Sequence, residues 1–475
     1  MRRTLVAVVA VAVLLIIAGS IYIVGPPLLK GNSGSNAPSS TVSVSAGVST
    51  SSKGASSTGD WTTYHVDNAR TGYLSVSNFT AVTHGWTSPA LDGNIYAEPL
   101  VYRGDVFVAT ENNSVYALDG KTGSPLWQRN LGPPVQANTL PCGDIGPITG
   151  ITGTPVIDPS TGILYVVAFS AMHHTLSAMN VSTGVVLFRE SATPPGFNET
   201  TQQERTALTL ANGMVYIGYG GLAGDCAQYY GWEVGLPANA PGKMVYYQVP
   251  VTREGAIWAP SGAAVDPSGN VYVTTGNGAS TTTFDHSDSV IRLSPTLAEE
   301  GYFAPTNWLQ LNQNDGDLGS LAPAFVGPNL IFQIGKQGVG YLLNASQLGG
   351  IGGETFSANV CDESFGGTAY FNSYIFVPCI NGLFELQVAN GTFSTKLEVT
   401  GFNGTGFNAG PPIVTDGVVW TVDSNTGTLY GLSVSDGHQD YTFSLGAVEH
   451  FTGAAAGDGR LFVAATNVVE SFVLG

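Results

Sequence analysis

The chain has 475 residues, 43% of them hydrophobic and only 11% charged, with 62 glycines and 26 prolines. Its net charge of −18, from 34 acidic against 16 basic residues, argues against nucleic acid or an anionic membrane surface as partner, because both demand clustered Lys and Arg. Gly-rich, Lys-poor composition with many Val, Thr, Tyr and Phe points to an all-β body with many turns, long enough to bury an ample core.

Residues 1–30 hold Arg2 and Arg3, then an apolar run from Leu5 to Val24, then Gly25-Pro26-Pro27. At about 1.5 Å per residue that run matches a hydrocarbon core of about 30 Å. The competing reading is a cleaved signal peptide, whose apolar region is usually about 7–15 residues and ends at an Ala-x-Ala-like site. This run is longer and no such site follows, so the expectation is a retained signal anchor, a single transmembrane helix with its N-terminus inside. Residues 31–59 are almost all Gly, Ser, Thr, Ala, Val and Asn, the composition of a flexible stalk. Three segments follow: anchor 1–30, stalk 31–59 and body 60–475. The body lies outside the membrane, at the cell surface.

Order resumes at Asp60-Trp61-Thr62-Thr63-Tyr64. The stretch 114–127 then sets the pattern for the rest: Ser-Val-Tyr-Ala-Leu-Asp, a Gly-Lys-Thr-Gly turn, then Ser-Pro-Leu-Trp. Just upstream, residues 98–102 and 106–109 form a hairpin around Arg103-Gly104-Asp105. Four short strands in about forty residues make one antiparallel unit, and weaker copies recur to the C-terminus, the signature of a β-propeller. Aligned on their first strands, the units start at Pro99, Pro155, Ala207, Ala263, Pro323, Thr368, Pro412 and Ala454, which makes eight blades. The spacing is wider in the first half, so the early blades carry the long loops, where function usually sits. The eighth unit runs out at its third strand. Residues 83–89, with Trp86, resemble its missing outer strand, and an open ring would leave two unpaired edges. The N-terminal strand is therefore expected to complete blade eight.

Cys142, Cys226, Cys361 and Cys379 make an even count on the oxidising side, which favours disulfides, and none has the C-x-x-C spacing of a zinc site. A two-residue turn at Asn372-Ser373 pairs Phe371 with Tyr374, which places Cys379 opposite Gly366 and within reach of Cys361. Cys142 and Cys226 lie in long loops of blades two and three and form the second bridge. Seven N-x-S/T sequons, at Asn78, Asn112, Asn180, Asn198, Asn344, Asn390 and Asn403, fit the surface of a glycoprotein.

Tyr116-Ala117-Leu118-Asp119 with Lys121-Thr122-Gly123 and Leu126-Trp127 resembles the pyrroloquinoline quinone (PQQ) repeat. From about Trp61 to Gly475 the chain is similar to the quinoprotein alcohol dehydrogenase-like superfamily, and within it to extracytoplasmic PQQ-binding-like propellers. The resemblance extends through Cys142-Gly143-Asp144-Ile145, residues 150–158, Asp225-Cys226, Gly231-Trp232, residues 275–278 and residues 315–320. It implies one of two uses: a PQQ- and calcium-dependent dehydrogenase, or a binding propeller without chemistry, such as the one in outer-membrane barrel assembly. The dehydrogenases sandwich their quinone between a tryptophan and a disulfide of adjacent cysteines, and no Cys-Cys pair exists here. By position Asn277 matches the family's calcium-binding Asn, and Asp225 stands nearest the family's Glu. The segment expected to carry the catalytic base reads Pro305-Thr306-Asn307-Trp308-Leu309. Asp315 and Asp317 follow and offer only a displaced carboxylate. Quinone binding therefore falls on Asp225, Asn277 and Asp317, and metal binding on Asn277 and Asp317. Each also reads plainly as part of a polar turn or loop.

Two other features carry less. His173 and His174 are adjacent, so their side chains are expected to diverge rather than share a metal. Glu98 and Arg205 stand at or just before first-strand starts, where side chains line the channel, and as opposite charges they suggest a polar plug holding water, with a small-ligand site as the alternative. The expected protein is thus a membrane-anchored, outward-facing propeller that binds a protein, glycan or envelope component, with no catalytic residue and no cofactor. A PQQ- and calcium-dependent dehydrogenase and a structural cell-surface protein are the alternatives.

Overall fold

The computed structural model describes residues 59–76, 78–399 and 407–475. The expected anchor, the stalk apart from Gly59, and the sequon at Asn403 lie outside them. Among the described residues no helix is long and apolar enough to cross a membrane.

Eight antiparallel sheets, each built on four strands, form the blades. Blade one runs outward through Leu100–Tyr102, Asp105–Ala109, Ser114–Asp119 and Pro125–Asn130. The eight inner strands begin within two residues of the starts expected from sequence. The inner strand Ala454–Gly457 is wholly buried, whereas the outer strands Val186–Ser191 and Gln439–Ser444 alternate between packed and exposed side chains. Blades three and four each gain a short fifth strand, and a two-stranded hairpin pairs Val135–Gln136 with Ile148–Thr149 in the loop between blades one and two.

Ring closure follows the expected route. Val82–Thr87 pairs with Val468–Leu474 and becomes the outer strand of blade eight. Its Trp86 explains two halves of the sequence repeat at once. Asp119 Oδ1 accepts hydrogen bonds from the backbone of Lys121 and Thr122 and from the Thr122 hydroxyl, which fixes the turn and delivers Gly123 at φ +72°. The Trp86 ring lies flat on that glycine, so close that an added Cβ would meet Cε3 at 2.5 Å, and its Nε1 donates to Gly120 O. Trp127 of blade one repeats the contact on Gly184 of blade two, donating to Val181 O. The Thr-Gly turn and the Leu-Trp strand are therefore the two sides of a joint between neighbouring blades.

The inner strands all run from one end of the channel, here called the mouth, to the other, the base. At the base the chain's own residues 61–74 cross the axis. Trp61 exchanges backbone hydrogen bonds with Val101 of blade one, and Thr62 O accepts from Ile157 of blade two. Asn68 donates its side chain to Leu210 O of blade three and its carbonyl accepts from Val265 of blade four. The carbonyls of Ala69, Thr71 and Gly72 accept from Phe325, Tyr370 and Val414 of blades five, six and seven. One segment thus ties seven blades together and stops the channel.

Arg70 holds the stopper in shape. Its side chain is 2% exposed and donates to Thr63 Oγ1, Tyr64 O, Thr209 Oγ1 and Ala263 O. Burial lowers its pKa to about 10, so it stays charged at neutral pH. Arg70→Ala would strand four acceptors in the core and is expected to reduce stability by about 3 kcal/mol or more in urea unfolding, against at most about 0.5 kcal/mol for the exposed Arg103→Ala. A loss below about 1 kcal/mol at Arg70 would remove the stopper from its central place.

Candidate functional site

Among the described residues the base is stopped, which leaves the mouth as the open end. The loops that lead from one blade's outer strand to the next blade's inner strand converge there, and five of them deliver a distinctive side chain three to six residues before the inner strand: Tyr96, Arg205, Trp258, Phe365 and Phe451. Trp258 is half-buried and central. Its ring centroid lies 6.4 Å from Phe365 and 6.3 Å from Phe451, which are themselves 5.9 Å apart. Phe451 sits at φ +64°, a conformation that strains a bulky side chain and that a loop tolerates when the ring is held by its surroundings.

Two cations flank the tryptophan. The Arg205 guanidinium carbon is 6.0 Å, and Lys336 Nζ 5.8 Å, from its ring centre, within cation–π range. Arg205 is fixed by Asp144 at 2.8 Å, whose other oxygen lies 3.7 Å from His450 Nε2. Lys336 is fixed between Asp315 Oδ1 at 2.9 Å and Asp317 Oδ2 at 2.8 Å. The pairing with Asp317 and Asp315 outweighs the effect of burial and raises the Lys336 pKa. Burial pushes the Asp317 carboxyl up, against the pull of Lys336.

The structure brings Asn277 and Asp317 together. Asp317 Oδ1 accepts the Asn277 backbone N–H at 2.6 Å, and a Cβ on Gly276 would touch both Asp317 and Trp258. Asp225 lies in the same sector, but its carboxylate takes the Tyr229 hydroxyl at 2.6 Å, and its carbonyl accepts from Arg253. Among the described residues no three His, Cys, Asp or Glu side chains are placed to share a metal ion. Residues 305–309, where the family's base was expected, lead into a short helix, Trp308–Asn314, whose Asn312 side chain accepts the Gly278 N–H. The helix props up the turn at Asn277 and adds no carboxylate.

Glu98 and Arg205 do not pair. Glu98 is buried lower in the channel, where its Oε1 accepts Trp61 Nε1 at 2.7 Å and the His65 N–H at 3.0 Å, so its partners belong to the stopper. The polar plug expected from this pair is built from backbone and Arg70 instead. His173 and His174 diverge as strand neighbours do, one exposed and one stacked on Phe169, yet both imidazoles reach the single carboxylate of Glu199, at 3.5 and 2.7 Å. Both disulfides form as expected, Cys142–Cys226 across two mouth loops and Cys361–Cys379 between the loop entering blade six and that blade's second strand. Phe371 faces Tyr374, but Cys379 bridges to Ser364 rather than Gly366, because Gly366 at φ +90° bends the strand out of register.

Trp258, Lys336, Phe365 and Phe451 went unremarked in the sequence. Their shared signal is positional: an aromatic or cationic residue just upstream of an inner strand, or, for Lys336, in the Gly335-Lys336-Gln337-Gly338 turn at the mouth end of blade five.

A ring of eight four-stranded blades is a β-propeller, and comparison with known proteins finds its likeness among quinoprotein dehydrogenases and BamB. The family model for the outer membrane protein assembly factor BamB matches residues 83–143, the segment that holds both the closing strand and the first full blade. In structure the chain is similar to a quinohemoprotein alcohol dehydrogenase from Comamonas testosteroni (16% identity, TM-score 0.67, covering 89% of this chain and 81% of that one). It is similar to a europium-containing methanol dehydrogenase (14%, 0.66, 88% and 98%) and to BamB from Moraxella catarrhalis (14%, 0.58, 83% and 100%). No curated protein matches its sequence. Identities this low establish the fold alone.

Peptide mapping without reductant is expected to recover the Cys142–Cys226 and Cys361–Cys379 links. Cys142→Ser should then speed proteolytic cleavage within residues 137–147 by about tenfold or more, because that loop loses its tie across the mouth. An unchanged cleavage rate would show that the loop is held without the bridge.

Proposed function

We propose that the protein is a membrane-anchored, extracytoplasmic propeller that recognises a protein, glycan or envelope component at its mouth and acts as a scaffold. The observation that carries this reading is the one-ended channel: stopped at the base by residues 61–74, open at a mouth whose half-buried Trp258, Phe365 and Phe451 are ringed by charge. Aromatic anchors inside a polar rim are the usual anatomy of a recognition surface. The apolar run 5–24 supports the anchor, the two disulfides support an oxidising compartment, and the exposed sequon asparagines Asn198 and Asn390 offer glycosylation sites. The shared fold with a named assembly factor supports a scaffold use.

One observation favours the second reading, a PQQ- and calcium-dependent dehydrogenase: Trp258 is a flat aromatic wall with Lys336, Asp317 and Asn277 beside it. The wall and its cations suit a planar anionic ring. The metal half of the site does not fit. Calcium takes about 6–8 oxygens at about 2.3–2.6 Å, whereas both Asp317 oxygens are committed to Asn277 and Lys336 and the Asp225 carboxylate turns to Tyr229.

The full chain in detergent, incubated with cell-envelope fragments from its own source, is expected to co-sediment. Trp258→Ala should weaken that binding by about 30-fold or more, the scale of an interface hot spot, while Leu126→Ser on an exposed outer strand leaves it unchanged. Equal binding by both variants would take recognition away from the mouth. In parallel, incubation with PQQ and calcium should leave no quinone absorbance after gel filtration, and retained quinone would put the dehydrogenase first.

A further inference from the structure

Five carboxyl groups are sealed inside the ring without a cation. Glu98, Glu111, Glu204, Glu233 and Asp288 are each at most 4% exposed. Among the described residues the lysine and arginine ion pairs all go to other carboxylates: Arg205 to Asp144, Arg253 to Glu254, Arg292 to Glu300, Lys336 to Asp315 and Asp317, Lys396 to Glu385. Arg70, the one deeply buried cation among them, donates to neutral oxygens.

The surroundings of each group offer little compensation. Glu98 faces Trp61, Tyr64, Arg70 and His65, whose Nε2 is 3.8 Å away. That imidazole shares its Nδ1 with Thr368 O, and burial lowers its pKa to about 3, so it is a neutral neighbour. Glu111 accepts the Gly150 N–H and faces Arg205, Glu449, Glu204 and Tyr96. Glu204 packs on Gly153 and faces Glu111 and Tyr219. Glu233 faces Arg70, Tyr216 and Tyr219. Asp288 accepts the Leu318 N–H and faces Asp317, Asp285, Lys336 and Tyr341. One oxygen each of Glu98, Glu233 and Asp288 has no protein partner. An isolated carboxylate in such a site is strongly disfavoured, and the group avoids the penalty by keeping its proton.

We infer that these five side chains are held as neutral carboxylic acids and that the propeller is matched to acidic surroundings, losing stability as the medium passes upward through neutrality. Burial raises Glu98 and Glu233 to about 8 and Glu111 to about 7, and drives Glu204 and Asp288 well above their usual range. The folded chain therefore keeps protons that the unfolded chain has released, so this contribution is complete below the ordinary carboxyl pKa and is lost as pH rises through the folded values. Buried His65, with His174 and His450, has a lowered pKa and works the other way, but only below the ordinary histidine value. Asp119, Asp158, Glu199, Glu299 and Asp436 have lowered values and oppose the trend only at still lower pH. The fall is consequently steepest between the histidine range and about pH 8. The surface acts in the same direction, because protonating exposed acids relieves the self-repulsion of a net charge of −18.

Urea unfolding of the full chain at about pH 4.5, 6.5 and 8.5 tests this, since each retained proton changes the unfolding equilibrium by up to about tenfold per pH unit. The midpoint is expected to fall at each step and most steeply at the last. Glu204→Gln with Asp288→Asn should flatten the upper limb. A midpoint at the highest pH that equals or exceeds that at the lowest would overturn the inference. Should the double variant fail to fold, the infrared carbonyl band of protonated carboxyl groups gives an independent reading on the unaltered chain. The band is expected to persist at neutral pH and fade above about pH 8, and its absence at neutral pH would likewise overturn the inference.

Discussion

The architecture depends on one charged side chain placed where no ion pair supports it. Arg70 is buried within the stopper and spends its donors on a hydroxyl and a carbonyl of its own segment and on a hydroxyl and a carbonyl of blades three and four. A guanidinium presents a rigid fork of donors, so it imposes geometry on whatever accepts it. Here it folds residues 61–74 into a shape whose own carbonyls can then reach blade after blade. Without that brace, the segment would be an irregular strip of backbone in a buried channel, with its polar groups unmatched. The same short stretch continues outward to become the last strand of blade eight, so axis and rim are secured by one continuous run of chain.

That arrangement decides where chemistry or recognition can occur. A channel stopped at one end leaves a single concave surface, and the blade-to-blade loops put their aromatic and charged residues there. The lower channel gains nothing from exposure and carries Glu98, a buried acid whose partners belong to the stopper. At the mouth Asp144 pairs with Arg205, and Asp315 and Asp317 pair with Lys336, while close behind them Glu111 faces Arg205 and Asp288 faces Asp317 without an ion pair of their own. Two kinds of carboxyl thus coexist within one passage, separated by access to solvent and by the placement of very few cations.

The fold was legible in the sequence wherever one physical contact wrote itself into two places. Gly123 and Trp86, or Gly184 and Trp127, are paired features of neighbouring blades, and a repeat built on such pairs survives as a pattern even when other strands drift. Strand alternation and turn residues located all eight inner strands for the same reason. The site was less legible because it is assembled from loops with no common period. Asn277 and Asp317 meet across forty residues, and Trp258 draws its cations from separate blades. Glu98 and Arg205 were read as a pair of opposite charges, but nothing in a linear sequence says that one meets the stopper and the other Asp144. The Ser364 register fell out of reach because a glycine bend absorbs residues that simple strand counting assigns to the ladder.

Both ends of the described chain leave from the base. Gly59 lies against Asp458 at a turn of blade eight, Asp60 accepts the Arg103 N–H of blade one, and Gly475 exchanges backbone hydrogen bonds with Thr80 and Ala81 where the closing strand begins. A support joined at either end therefore holds the molecule by its blind side and presents the aromatic face outward. Immobilised on a sensor chip or displayed on a particle through its C-terminus, the propeller would show every incoming molecule the same surface.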